Sequence, residues 1–272
     1  MNILSADFFE IGYAAYAARM IFPNIISLIV SFFLLFFLYR RSIPSTFSLE
    51  GIAEPSEQIQ DPFLFRCSWI LLFLLFAFCF VNQFLFIPLS VIFWICALVF
   101  LGLSRVRDRV HVTHVLREAP WEIVFFSLGM YVVVYGVRNS FGFLWIEDGL
   151  LFLAENGLYA SIMGMGFLSA ILSSIFNNLP AMMLNLLAID GLSIQESIRE
   201  GLIYANIIGC DIGPKMTPIG SLSTLLWLYL LRKRDIHITW RYYCKVGILL
   251  TIPTLFLTLL FFWFQTYLNL SN

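Results

Sequence analysis

Long apolar runs separated by short polar breaks dominate this chain, and several approach the roughly 20 residues needed to cross a ~30 Å hydrocarbon core. The pattern predicts spans over 21–38, 69–81, 88–103 and 121–137. The stretch before them, MNILSADFFEIGYAAYAARM, reads as a loop leading into the first span, and 42–61 is a polar connection too short to be a domain. Spans two and three are joined by a short uncharged turn near Asn82 and Gln83. Residues 141–156 mix aromatic and acidic positions (Trp145, Glu147, Asp148, Glu155) and read as an interfacial helix. A last span covers 247–264.

Two apolar segments break this simple pattern. The segment 158–190 is interrupted by Asn177, Asn178 and Pro180, and 201–231 contains GCDIGPKMTPIGS, with Asp211, Lys215, two prolines and three glycines. Charged groups and helix breakers inside hydrocarbon are costly unless they line a site. Non-helical backbone survives at that depth only where protein or a water-filled cavity covers it.

Basic residues orient the chain, since cytoplasmic loops are enriched in Lys and Arg. Arg40 and Arg41 after the first span, and Arg105, Arg107, Arg109 and Arg117 after the third, place those loops inside. The acidic stretch after span four then lies outside. If 158–188 crossed fully, Arg232, Lys233, Arg234, Arg241 and Lys245 would also fall outside, against the bias. A re-entrant hairpin over 158–190, turning at NNLP with unequal arms, keeps that cluster cytoplasmic, and 201–231 becomes a broken helix running inwards.

These two segments carry the candidate chemistry. Asn177 and Asn178 offer amide donors and acceptors, and Pro180 lacks an N–H and so frees a carbonyl. Gly209, Gly213 and Gly220 permit close backbone approach, while Pro214 and Pro218 interrupt the helical ladder. Thr217, Ser221, Ser223 and Thr224 add hydroxyls. Such a set of neutral groups suits a small polyhydroxyl or oxyanion solute. Asp211 is the natural proton carrier, because removing a carboxyl group from water favours its protonated form. Lys215 is positioned to pair with it or to stand in for a bound cation. Cys210 offers a thiol to a soft metalloid, although a single thiol does not chelate and buried cysteines more often act as small hydrophobes. His111 and His114 lie among arginines in a cytoplasmic loop, and Glu122 marks a membrane edge.

Composition narrows the class. The chain is 60% hydrophobic and only 12% charged, with 29 phenylalanines, against about 25% charged residues in ordinary soluble domains. An all-α polytopic membrane protein is expected, in one transmembrane domain over residues 1–272. The five cysteines (Cys67, Cys79, Cys96, Cys210, Cys244) form no C-x-x-C pattern, so neither a zinc site nor a disulfide framework is expected. No cofactor, metal or nucleic acid is implied. No nucleophile–base or ligand set for an enzyme is present.

Three segments, APWEIVFFSLGMYVVVYGVRN, FLSAILSSIFNNLPAMMLNLLAIDG and IREGLIYANIIGCDIGPKMTPIGSLSTLLWL, resemble the bacterial arsenical pump membrane protein family, as do NILSADFF and ITWRYYCKVGILLT. The resemblance implies the ion-transporter-superfamily fold, in which two inverted repeats each contribute a re-entrant hairpin and a broken transmembrane helix. It also implies exchange of arsenite or antimonite for protons across the bacterial inner membrane, in some cases with a cytoplasmic arsenite-stimulated ATPase. Asn177, Asn178, Pro180, Gly213, Thr217, Gly220 and Ser221 match the second repeat's substrate-binding pair, with Asp211 and Lys215 as proton-coupling groups and Cys210 as a metalloid thiol. The match covers the C-terminal part of the family's longer chains, and the first repeat's hairpin and broken helix fall before Met1. Transport is therefore expected to need a separately supplied N-terminal half. The competing readings are a transport-inactive membrane fragment with a structural or interaction role, or the same fold carrying sodium or an organic anion.

Overall fold

The structure, a computed structural model, describes residues 2–44, 46, 54, 56, 59, 61–85, 89–106, 113, 117, 121–138 and 141–271. Eleven α-helices lie among the described residues. They are α1 (Asn2–Phe8), α2 (Tyr13–Tyr39), α3 (Pro62–Leu85), α4 (Leu89–Val106), α5 (Trp121–Arg138), α6 (Phe141–Glu155), α7 (Gly157–Phe176), α8 (Asn178–Asp190), α9 (Glu196–Ile212), α10 (Leu222–Arg232) and α11 (Trp240–Ser271). Two 3₁₀ turns, Gly213–Met216 and Pro218–Gly220, join α9 to α10. Among the described residues, four helices are long and apolar enough to cross a membrane: Tyr13–Tyr39, Pro62–Val81, Gly157–Phe176 and Trp240–Leu270. The protein is an all-α polytopic membrane protein.

Several boundaries differ from the sequence expectations. The N-terminal stretch is not a loop: residues 2–8 form a helix and the first span begins at Tyr13. Pro23 sits inside that helix. It removes one backbone donor and leaves the carbonyl of Arg19, four residues earlier, without its helical partner. The Gln265 side-chain amide of α11 donates to that carbonyl at 3.4 Å, so tertiary packing repairs a break that would have argued for a later start. The turn expected near Asn82–Gln83 is helix instead, because α3 continues to Leu85. Backbone bonds must stay paired in an apolar medium, and continuing the helix pairs them. The last span is also longer than expected, running from Trp240 with Pro253 inside it. His111, His114, Arg107, Arg109 and the Glu122 side chain lie outside the described residues.

The chain forms two compact units. The smaller contains residues 12–16 and 41–121, in which α3 packs on α4. The larger contains residues 1–11, 17–40 and 122–272, and holds the core. At its centre α7, α8 and α9 pack on one another, with α11 across α9 and the first 3₁₀ turn. Ser169 of α7 and Asn185 of α8 are 16 residues apart, a separation of about 24 Å along a continuous helix. Here the Asn185 amide donates to the Ser169 hydroxyl at 3.0 Å. The chain therefore folds back at Asn177, giving a helical hairpin with a 20-residue first arm and a 13-residue second arm. Arg199 fastens the end of the second arm. Its guanidinium donates to the Asp190 carbonyl at 2.9 Å and lies 3.8 Å from the Asp190 carboxylate, meeting orphan carbonyls where the helix dipole favours a cation.

Small residues allow the backbones to approach this closely. A Cβ added to Gly209 would collide with the Gly166 carbonyl and with Ser169 Cβ, and one on Gly213 would strike the Ala170 backbone. Backbone obstacles of this kind cannot swing aside. Gly209→Ala should therefore destabilise the larger unit by about 1–3 kcal/mol. Gly149→Ala, at a helical position with open space around it, should be neutral or stabilising by up to about 1 kcal/mol. Thermal unfolding of the purified variants in detergent checks the opposite signs.

Candidate functional site

The broken segment is built from helix termini that satisfy each other. After Ile212 the chain tightens into a 3₁₀ turn and becomes extended at Thr217 (φ −134°, ψ 152°). It makes a second 3₁₀ turn, then extends again at Ser221 before α10 starts. Gly213, Pro214, Pro218 and Gly220 of this stretch are buried, whereas Lys215 and Ile219 are exposed. Gly247 of α11 lies so close to the first turn that an added Cβ would meet the Lys215 carbonyl. Gly220 packs likewise on the backbone of Pro214.

The hairpin tip closes onto this break. Ser174 donates to the Gly213 carbonyl at 2.8 Å, and Thr217 in return donates its hydroxyl to the Ser174 carbonyl. The Thr217 oxygen also accepts the Gly220 N–H at 3.2 Å, as an N-cap for the second turn. At the apex, the Asn177 amide donates to the Ile219 carbonyl at 3.3 Å. Asn177 holds φ 76° and ψ 153°, a region that non-glycine residues occupy at a cost of about 1–3 kcal/mol. That strain is maintained by the surrounding contacts, since Asn177 is buried and its own carbonyl accepts the Ala181 N–H at 3.3 Å.

The candidate residues divide between two faces of α9. Asn206, Gly209, Cys210 and Gly213, spaced at helical intervals, turn towards the hairpin. Ile208, Asp211, Ile212 and Lys215 turn the other way and line a cavity of about 160 Å³, completed by Met20, Asn24 and Ser27 of α2 and Thr258 of α11. Asn177, Thr217, Gly213 and Gly220 are thus brought together at the tip, whereas Asp211 and Lys215 face a separate chamber. Asn178 is half-buried at the start of α8 and Pro180 is buried within it. Ser221 pairs with Ser223 at 3.0 Å. Cys210 is fully buried, with its thiol 3.4 Å from the Asn206 oxygen and 3.9 Å from the Ser169 carbonyl, inside the helix interface.

Sequence reasoning missed the polar core that locks the hairpin to α9. The Asn206 side-chain oxygen accepts from Ser169 at 2.9 Å and from Asn185 at 2.9 Å. Its amide donates to the Met182 sulfur at 3.1 Å, and Ser5 of α1 donates to the same sulfur at 3.1 Å. Ser5, Ser169, Asn185 and Asn206 are all completely buried. The available signal was periodicity: Asn206 stands four residues before Cys210, on the glycine-bearing face. Asn24 and Ser27 were missed because α2 reads as an ordinary span.

Among the described residues, no group of three or more His, Cys, Asp or Glu is placed to hold a metal ion. The site offers neutral donors and acceptors at the tip, and the side chains of Asp211 and Lys215 in the chamber. Asn206→Ala should cost about 1–3 kcal/mol by stranding the Asn185 and Ser169 donors. Combined with Ser169→Ala it should be clearly non-additive, which a double-mutant cycle on thermal stability measures.

Comparison with known proteins places this architecture. The profile of the arsenical pump membrane protein family matches residues 1–265. An arsenical pump membrane protein of Escherichia coli is 46% identical over 259 residues, covering 95% of this chain and 60% of the relative. One from Yersinia enterocolitica is 44% identical over the same proportions. Sodium/proton antiporter 1 of Arabidopsis thaliana is 32% identical over 109 residues, covering 40% of this chain and 18% of the relative. No solved structure matches. The chain spans about 60% of the length of the curated arsenical pump relatives. With a match over nearly its whole length, the chain belongs to the arsenical pump membrane protein family.

Proposed function

We propose that this chain forms the hairpin-and-broken-helix part of a secondary transporter that expels arsenite, and antimonite, across the bacterial inner membrane in exchange for protons. The observation that carries this reading is the reciprocal bonding of Ser174 and Thr217 across the hairpin tip and the helix break. It presents hydroxyls, amides and non-helical carbonyls at one point of an apolar fold. The solute that suits these groups is a small neutral trihydroxide, which both donates and accepts hydrogen bonds and brings no charge that the bilayer would penalise. On this reading 158–190 is a re-entrant hairpin, built on a first helix of 20 residues that is about 30 Å long.

Tip contacts would loosen to admit the solute: Asn177, Thr217 and Ser221 exchange their internal partners for metalloid hydroxyls, with Asn178 and the Gly213 and Gly220 backbone alongside. Asp211 supplies the coupling. Its carboxyl group takes a proton from the outer side and releases it inside, so the inward proton gradient drives outward solute movement. Lys215 faces the same cavity and is the basic partner of the carboxyl group in this exchange. The similarity over 109 residues to a protein named a sodium/proton antiporter agrees with proton exchange. It also makes sodium the competing solute.

Since the chain spans about 60% of its relatives' length, the test supplies the remainder. Cells lacking their own pump, co-expressing this chain with the N-terminal region of a full-length relative, should gain arsenite resistance. Everted vesicles from them should accumulate arsenite when a proton gradient is imposed. Asp211→Asn should abolish that accumulation, a loss of at least about 100-fold for removal of an essential proton carrier. Sodium accumulation without arsenite accumulation would favour the competing solute. Unchanged arsenite accumulation in the variant would remove Asp211 from the mechanism.

A further inference from the structure

The cavity beside Asp211 carries more than one titrating group. Two stripes face each other across it: Met20, Asn24 and Ser27 on α2, and Ile208, Asp211, Ile212 and Lys215 on α9 and the following turn. The spacing of each stripe is that of a single helix face. Its volume of about 160 Å³ is room for several water molecules at about 30 Å³ each.

The hydroxyl and amide of α2 are uncommitted. Six helical hydroxyls bond back to their own backbone, those of Ser104, Ser161, Ser174, Thr254, Thr258 and Thr266, whereas the buried Thr251 hydroxyl has no protein partner. Among the described residues, neither the half-buried Ser27 nor the exposed Asn24 hydrogen-bonds a protein group, and both line the cavity wall opposite Asp211. In an apolar medium such groups are expensive unless they meet water or a ligand. The hairpin tip has the opposite character, because its hydroxyls and amide are occupied by backbone carbonyls.

The charged and polar groups facing Asp211 can be followed element by element. Lys215 approaches from the 3₁₀ turn, and Asn2 of α1 lies beside the carboxyl group. The lining contributed by α2 and α11 is uncharged (Met20, Asn24, Ser27 and Thr258).

We propose that Asn24 and Ser27 are positioning residues of a hydrated proton site, which they form with Asp211 and Lys215 in a chamber separate from the hairpin tip. The ligand class is a water-borne proton: Asp211 holds it, and water bound by Asn24 and Ser27 delivers it. This rests on the reading of Asp211 as the coupling carboxyl. It adds that coupling and solute binding occupy opposite faces of one helix. A proton then alters solute affinity only through the shared backbone of 209–217, not by competing for the same atoms.

The test needs no metalloid, so failure of the export assay and failure of this inference are separable. In the purified full chain, the infrared carboxyl stretching band of Asp211 is identified by its loss in Asp211→Asn, and its intensity is followed against pH. Ser27→Ala and Asn24→Ala should each change the proton concentration at half-titration by about threefold or more. Ser27→Thr, which keeps the hydroxyl, should restore the wild-type midpoint and so separate positioning from folding. Thr217→Val, on the hairpin side, should leave the midpoint in place. The proposal is overturned if no band is lost in Asp211→Asn, if the α2 variants leave the midpoint unchanged, if Ser27→Thr does not restore it, or if Thr217→Val shifts it equally.

Discussion

Close approach between α7 and α9 is the constraint on which the larger unit depends. Gly209 and Gly213 present bare backbone to Gly166, Ser169 and Ala170, so the two helices meet at distances where a hydroxyl on one reaches a carbonyl on the other. In lipid, apolar side chains gain little by leaving one hydrocarbon environment for another. Association rests instead on van der Waals packing and on polar groups that find partners. The small residues supply the first directly, and by shortening the gap they make the second available to Ser169, Ser174 and Asn206.

That approach also explains how a chain with two broken segments remains stable in hydrocarbon. The carbonyls that the breaks release do not face lipid: Ser174 takes that of Gly213, Thr217 takes that of Ser174, Asn177 takes that of Ile219, and Gln265 takes that of Arg19. In each of these four cases the donor is a side chain from a distant part of the chain.

The two faces of α9 set the candidate residues in different surroundings. Consecutive residues of a helix point about 100° apart, so Cys210 and Asp211, neighbours in the chain, lie in different surroundings. The thiol is sealed among Asn206 and Ser169, whereas the carboxyl group opens on a polar cavity. Grouping Asp211 with Asn177 as a single constellation follows from their shared segment of sequence. Their separation follows from the direction in which each helix face is turned.

Much of the architecture was legible without coordinates. Apolar run length establishes a helical membrane protein, because only helices or closed barrels satisfy the backbone in a bilayer. Asn-Asn-x-Pro and the Gly/Pro-rich break mark where regular helix ends, since proline removes a donor and these residues tolerate unusual dihedrals. Only tertiary structure decided the partners. The Asn206–Ser169–Asn185 core joins residues up to 37 positions apart, Gln265 repairs a break 246 positions away, and Asn24 and Ser27 gain meaning only once α2 lies across from Asp211. Local pattern records which groups a segment must satisfy, whereas the three-dimensional fold decides which distant group satisfies them.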